Sequence, residues 1–64
     1  MKIYIERNKE NKEFDFKGSV QDLLDTLNIL SETVLVVKNG TIITEDEELI
    51  NDDEIKILSV VSGG

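Results

Sequence analysis

Apolar and polar residues alternate at the start of the chain, where Ile3 and Ile5 stand between polar or charged neighbours. A period of two places every second side chain on one face, as in a half-buried β-strand. Residues 8–12 have the composition of a turn, and Phe14 and Phe16 then repeat the alternation. The pattern predicts two strands paired as a hairpin, the second centred on the two phenylalanines.

A helical period follows the break at Gly18. Ser19 can accept a hydrogen bond from a free backbone N–H as a helix N-cap. Asn28 tolerates the left-handed conformation that ends a helix, and Ile29 can fold back as the apolar contact beyond it. These signals predict a helix over residues 20–28. Its apolar face has the spacing i, i+3, i+4, i+7 and consists of Val20, Leu23, Leu24 and Leu27.

The β-branched, apolar segment 34–37 predicts a mostly buried strand. Asn39-Gly40 follows it, and residues 41–43 are apolar or β-branched again. Because both central positions of a type I′ turn need a positive φ, Asn-Gly between two such runs predicts a tight hairpin.

A last strand is predicted around Ile55 and Ile57, running toward Val60 and Val61. The element order is then strand, strand, helix, strand, strand, strand. One helix packed on one mixed sheet of about four to five strands is a two-layer α+β arrangement. At 64 residues, we expect residues 1–64 to form a single domain.

The composition of the chain limits the kinds of catalytic site and partner that it could have. The chain has no cysteine and no histidine, which excludes a cysteine nucleophile and the commonest general base and metal ligand. The net charge of −7 argues against nucleic acid and anionic membranes as partners and favours a basic protein. No apolar run is long enough to span a bilayer, and no signal peptide is evident. We therefore expect a cytoplasmic monomer that binds no cofactor or metal of its own and is not itself an enzyme.

The C-terminal residues Ser62, Gly63 and Gly64 follow the last strand. Two glycines without side chains can enter a channel too narrow for larger residues. Their terminal carboxylate is an anion at pH 7 and could attack the α-phosphorus of ATP, giving an acyl-adenylate on Gly64. The alternative is that the Gly-Gly end is a frayed terminus without a function.

An apolar patch is predicted beside this tail. On the last strand, Leu58 and Val60 should face outward together with the charged residues before them, and Val37 on the neighbouring strand could join them. Apolar residues on an outer face suggest a contact surface, which Val61 would extend toward the tail. The alternative is scattered surface residues of the ordinary kind.

Two acidic segments, residues 45–48 and 52–54, hold half of the chain's fourteen acidic residues. Their spacing lacks the central glycine of a calcium loop. We interpret both segments as solvated loops that could also steer the chain to a basic partner.

Three segments resemble the ThiS- and MoaD-type sulfur carriers, small proteins with the ubiquitin-like β-grasp fold. Residues 19–24 resemble the start of their helix, residues 36–43 their central hairpin, and residues 51–64 their closing segment with its Val-Val-Ser-Gly-Gly end. The resemblance covers nearly the whole chain. One departure is Asp52, which stands where the family usually has a glycine in the turn before the last strand.

The resemblance implies a β-grasp fold and a function. A ubiquitin-activating-type enzyme would adenylate Gly64 with its own ATP and magnesium, and sulfur would then give a C-terminal thiocarboxylate. A downstream synthase would accept that sulfur in thiamine (thiazole) or molybdopterin-type biosynthesis. Two alternatives stay open: a protein modifier joined through Gly64 to lysines, and a passive β-grasp interaction module.

Overall fold

A computed structural model describes residues 1–60 of the chain. Its elements follow in the order β1 (Lys2–Ile5), β2 (Glu10–Glu13), β3 (Gly18–Ser19), α1 (Val20–Thr26), β4 (Val34–Lys38), β5 (Thr41–Ile43), β6 (Glu48–Leu49) and β7 (Glu54–Ser59), with 3₁₀ turns at Glu6–Asn8 and Ser31–Thr33. No helix in this part of the chain is long and apolar enough to cross a bilayer.

Five strands form one mixed sheet in the order β2-β1-β7-β4-β5. The first and last strands, β1 and β7, lie side by side in parallel, and the other neighbours are antiparallel. Helix α1 contributes to the same core as the sheet. The predicted ubiquitin-like β-grasp architecture is therefore confirmed. The largest fully buried side chains are Ile3, Val20, Leu23, Leu24, Leu49, Ile55 and Ile57.

The second strand differs from the prediction, which centred it on Phe14 and Phe16. The strand is Glu10–Glu13. The 3₁₀ turn Glu6–Asn8 ends at Lys9, whose φ of 50° reverses the chain, so that Glu10 already pairs with Ile5 of β1. As an edge strand it needs no apolar residue of its own. The two phenylalanines lie beyond it, half-buried against the core.

Helix α1 begins as predicted and ends two residues early. The Ser19 hydroxyl accepts the amide of Asp22 at 3.2 Å, which makes Ser19 the N-cap. The helix stops at Thr26 rather than at residue 28. Asn28 takes the expected left-handed conformation at φ 62°, and the amide of Ile29 folds back to the carbonyl of Leu24 at 2.8 Å.

A second, two-stranded sheet of β3 and β6 was not predicted. It brings the acidic segment to the start of the helix, where the carbonyls of Glu47 and Glu45 accept the amides of Val20 and Gln21. Two amides that a helix leaves without an internal partner are thereby satisfied. It also buries Leu49 completely in the core.

Candidate functional site

Strand β7 carries the chain toward its C-terminus through the middle of the sheet, between β1 and β4. Its pattern places Ile55 and Ile57 in the core, as predicted. Because β7 pairs with β1 on one edge and with β4 on the other, both of its edges are hydrogen-bonded. The segment that precedes the tail therefore has a fixed position.

The last described residues are held on both sides. On the β4 side, the amide of Val60 donates to the carbonyl of Thr33 at 3.0 Å. The amide of Ser59 donates to the carboxylate of Glu6 at 3.1 Å, and the guanidinium of Arg7 donates to the Thr33 hydroxyl at 3.1 Å. The sequence did not single out Glu6, Arg7 and Thr33 as site residues, since 26 positions separate Arg7 from Thr33.

The outer face of the sheet carries an apolar patch, and the structure enlarges the predicted one. Leu58 pairs with Leu35 on β4, and Val37 pairs with Ile42 on β5. Paired residues of neighbouring strands share a face. We call Leu35, Val37, Ile42 and Leu58 the outer apolar patch. Leu35 and Ile42 are 42% and 62% exposed, whereas Val37 and Leu58 are half-buried.

Val60 lies at the end of this patch. It follows Leu58 by two residues, and its amide continues the hydrogen-bonded ladder, so the period of two keeps it on the outer face. Its side chain is 49% exposed. Three of the four predicted contact residues, Val37, Leu58 and Val60, are thus brought together on one face.

Leu35 and Ile42 were missed because the run 34–37 is apolar throughout and hides its own alternation. A signal was available in the hairpin. A two-residue Asn-Gly turn fixes the register on either side of it, and that register pairs Val37 with Ile42.

The part of the outer face formed by β1 and β2 carries charged and polar side chains instead of apolar ones. Lys2 lies between Glu13 on β2 and Glu54 on β7, and Tyr4 lies between Asn11 and Lys56. Alternating charges across strands favour this pairing. The outer face therefore divides into a mixed-charge half and an apolar half that meet at β7.

The acidic segment has two perturbed groups at its borders. The Nζ of Lys38 lies 3.0 Å from a carboxylate oxygen of Glu47, and this hydrogen bond raises the pKa of the lysine. A hydrogen bond from the Thr44 hydroxyl lowers the pKa of the Asp46 carboxyl. Both groups thus keep their charges at neutral pH, and residues 45–48 are exposed as predicted.

The second acidic segment differs from the prediction of a solvated loop, because Asp53 is only 8% exposed. Its carboxylate accepts the amide of Ile50 at 2.9 Å and the side-chain amide of Asn39 at 3.1 Å. Asp52 is exposed in the turn and does not have a positive φ. The turn before β7 therefore does not require a glycine at this position.

The predicted tail residues lie outside the described part of the chain: Val61, Ser62, Gly63 and Gly64. The predictions about them remain predictions. Within residues 1–60, no group of three or more Asp and Glu side chains has a geometry that could hold a metal ion.

Comparison with known proteins agrees with this architecture. The profile of the ThiS family matches residues 3–64. The chain is 33% identical over 60 residues to the sulfur carrier protein TtuB of Thermus thermophilus, an alignment that covers 91% of this chain and 92% of that protein. Both findings agree with the resemblance to the ThiS- and MoaD-type carriers, and the chain belongs to the ThiS family.

Proposed function

We propose that this protein is a sulfur carrier that works through the carboxylate of Gly64. The observation that carries the proposal is the family match, which extends to residue 64 and so includes the terminal Gly-Gly. The relative from Thermus thermophilus is also named a sulfur carrier protein. The chain is the substrate of its partner enzymes rather than a catalyst.

The chemistry takes place in two steps. A carboxylate oxygen of Gly64 attacks the α-phosphorus of ATP, and pyrophosphate leaves. Sulfide (HS⁻) then attacks the acyl carbon, and AMP leaves with one of the two carboxylate oxygens, so that Gly64 ends in a thiocarboxylate. ATP and magnesium belong to the adenylating enzyme, and the carrier binds no cofactor of its own.

The fixed end of β7 supports this role. The amides of Ser59 and Val60 donate to opposite sides, to Glu6 and Thr33, so the chain has a defined place relative to the sheet up to residue 60. An enzyme that binds the sheet would then find Val60, the residue before the tail, at a constant distance from its binding surface.

The outer apolar patch is the proposed contact with the adenylating enzyme. It lies on the outer face of β7, β4 and β5, and Val60, the residue before the tail, stands at its end. Its exposed members would bury apolar surface on docking. The net charge of −7 favours a basic enzyme surface and a fast encounter. We place the carrier in the cytoplasm as a monomer, where ATP is available to the enzyme.

A downstream synthase would accept the sulfur from Gly64, and thiamine (thiazole) and molybdopterin-type biosynthesis are the proposed destinations. The alternative use of the same adenylate, transfer of Gly64 to lysines of other proteins, would show as conjugates of higher mass on immunoblots.

The adenylation step is tested by ATP–pyrophosphate exchange with a ThiS-type adenylating enzyme. We expect exchange that depends on this chain and is lost when Gly64 is deleted. The matched control is Asn8→Ala, which changes an exposed residue outside the outer apolar patch and should keep full exchange. Exchange that survives the deletion of Gly64 would refute the proposal.

A further inference from the structure

The two edges of the five-stranded sheet differ in charge. Edge strand β2 carries charged side chains at three of its four positions, which hinders pairing with another strand. Edge strand β5 consists of Thr41, Ile42 and Ile43 and carries no charge. Since proteins commonly protect an exposed edge with charges, an uncharged edge is open to an added strand.

The pairing of β5 with β4 fixes which backbone groups face this open edge. In a two-residue hairpin, Lys38 and Thr41 form a hydrogen-bonded pair, and the next pair, Val37 with Ile42, is not hydrogen-bonded across the two strands. The opposite side of β4 agrees, because the amide of Asn39 and the carbonyl of Thr33 bond toward β7. The N–H and C=O of Ile42 therefore both point away from the sheet.

The surroundings of Ile42 indicate the chemistry of an incoming strand. Its side chain is 62% exposed, and the exposed carboxylates of Glu45 and Asp46 follow within at most about 14 Å along the chain. Within residues 1–60, neither carboxylate forms an ion pair. Both line a groove on the helix side of the sheet, the face opposite to the Ile42 side chain, and its apolar wall includes Val34 and Ile43.

We propose that the edge of β5 binds an extended segment of a partner protein in which apolar residues alternate with lysine or arginine. The segment pairs through the N–H and C=O of Ile42, packs an apolar side chain beside it, and places its cations against Glu45 and Asp46. A second copy of this chain does not fit, because it would bring another charge of −7 to the same carboxylates.

This site goes beyond the proposed function, since it uses the backbone edge of β5 and does not involve Gly64. It shares only Ile42 with the outer apolar patch. The test is an NMR titration of the ¹⁵N-labelled full chain with a capped synthetic peptide of alternating valine and lysine. We expect shifts at residues 41–46 and slower hydrogen exchange at the Ile42 amide. A chain without Gly64 should bind this peptide equally well, so failure here is distinct from failure of the carrier proposal.

Two controls isolate the backbone pairing. Ile42→Pro removes the outward N–H without touching the bonds to β4 and should weaken binding at least about fivefold. Ile42→Thr keeps that N–H and should lose less. If the proline variant does not fold, a peptide N-methylated at alternate residues replaces it, and its binding should be weakened in the same way.

Several results would overturn the proposal. The first is absence of shifts at millimolar peptide. Equal binding of the N-methylated peptide, or of a peptide with glutamate in place of lysine, would be equally decisive. Self-association of the chain through β5, detected by sedimentation, would assign the edge to a second copy instead.

Discussion

The side-chain amide of Asn39 donates a hydrogen bond of 3.1 Å to the buried carboxylate of Asp53, joining the β4–β5 turn to the turn before β7. The other end of the same amide group accepts the backbone N–H of Glu54 at 2.9 Å. Asn39 therefore has two roles, because it also supplies a positive φ of 50° to the hairpin turn. The two turns at this end of the sheet are held together by one residue.

Replacing Asn39 by glycine separates these roles. Asn39→Gly keeps the positive φ but leaves the Asp53 carboxylate and the Glu54 amide without this partner, and we expect the free energy of unfolding to fall by about 1–3 kcal/mol. Urea denaturation measures it. Asn28→Gly is the matched control, because Asn28 has φ 62° and caps the helix through its backbone conformation. Equal effects of the two substitutions would contradict the bracing role of Asn39.

The N-cap of α1 contributes a separate part of the stability. Ser19→Ala removes the oxygen that accepts the Asp22 amide, and such a loss costs about 1 kcal/mol. For a domain of this size we expect Tm to fall by roughly 4–8 °C. Thermal unfolding followed by circular dichroism measures the shift. Glu32→Ala, a change at an exposed residue outside α1, is the control and should leave Tm nearly unchanged.

Asp46 should titrate at lower pH than an ordinary aspartate. The Thr44 hydroxyl bonds to its charged form and lowers its pKa below the usual 3.8. With the folded-state pKa depressed, this contact stabilises the fold above pH 3.8, and the contribution is lost as pH falls through the lowered value. A ¹³C NMR titration of the carboxyl group should show the low midpoint, and Thr44→Val should return it toward 3.8. An unchanged midpoint in that variant would exclude the Thr44 contact as the cause.

Two exposed leucines test the outer apolar patch. Leu35 lies within the patch, whereas Leu30 is 71% exposed in the connection before β4. Leu35→Glu should raise KM for the adenylating enzyme at least about tenfold, since burying a leucine on docking is worth roughly 1.5–3 kcal/mol. Because the tail is unchanged, kcat should change little. Leu30→Glu should leave both constants near those of the native chain, and the reverse order would move the docking surface elsewhere.

The features that could be predicted from sequence are those fixed by local backbone chemistry. Ser19, Asn28 and the Asn39-Gly40 turn each have a conformation that neighbouring residues decide, and each has the predicted role. The period-two pattern likewise placed Ile55 and Ile57 in the core. Local rules of this kind also predicted the order of the main elements and the two-layer α+β class, whereas the β-grasp architecture was implied by the resemblance to the sulfur carriers.

The missed features depend on contacts between distant segments. Strand β2 has no apolar pattern, because it is an edge strand whose position the tight turn at Lys9 determines. Asp53 is buried and bonded to Asn39, which lies 14 positions away in the sequence. The local acidic composition does not reveal this contact, and it therefore suggested a solvated loop. Ile42 joined the candidate site only through its pairing with Val37.

The carrier role of Gly64 is decided by the intact mass of the full chain after incubation with the adenylating enzyme, ATP, magnesium and a sulfur donor. We expect a mass gain equal to one oxygen replaced by one sulfur, located at Gly64 by fragmentation and absent when Gly64 is deleted. An unchanged mass, with an enzyme shown to be active on another carrier, would contradict it.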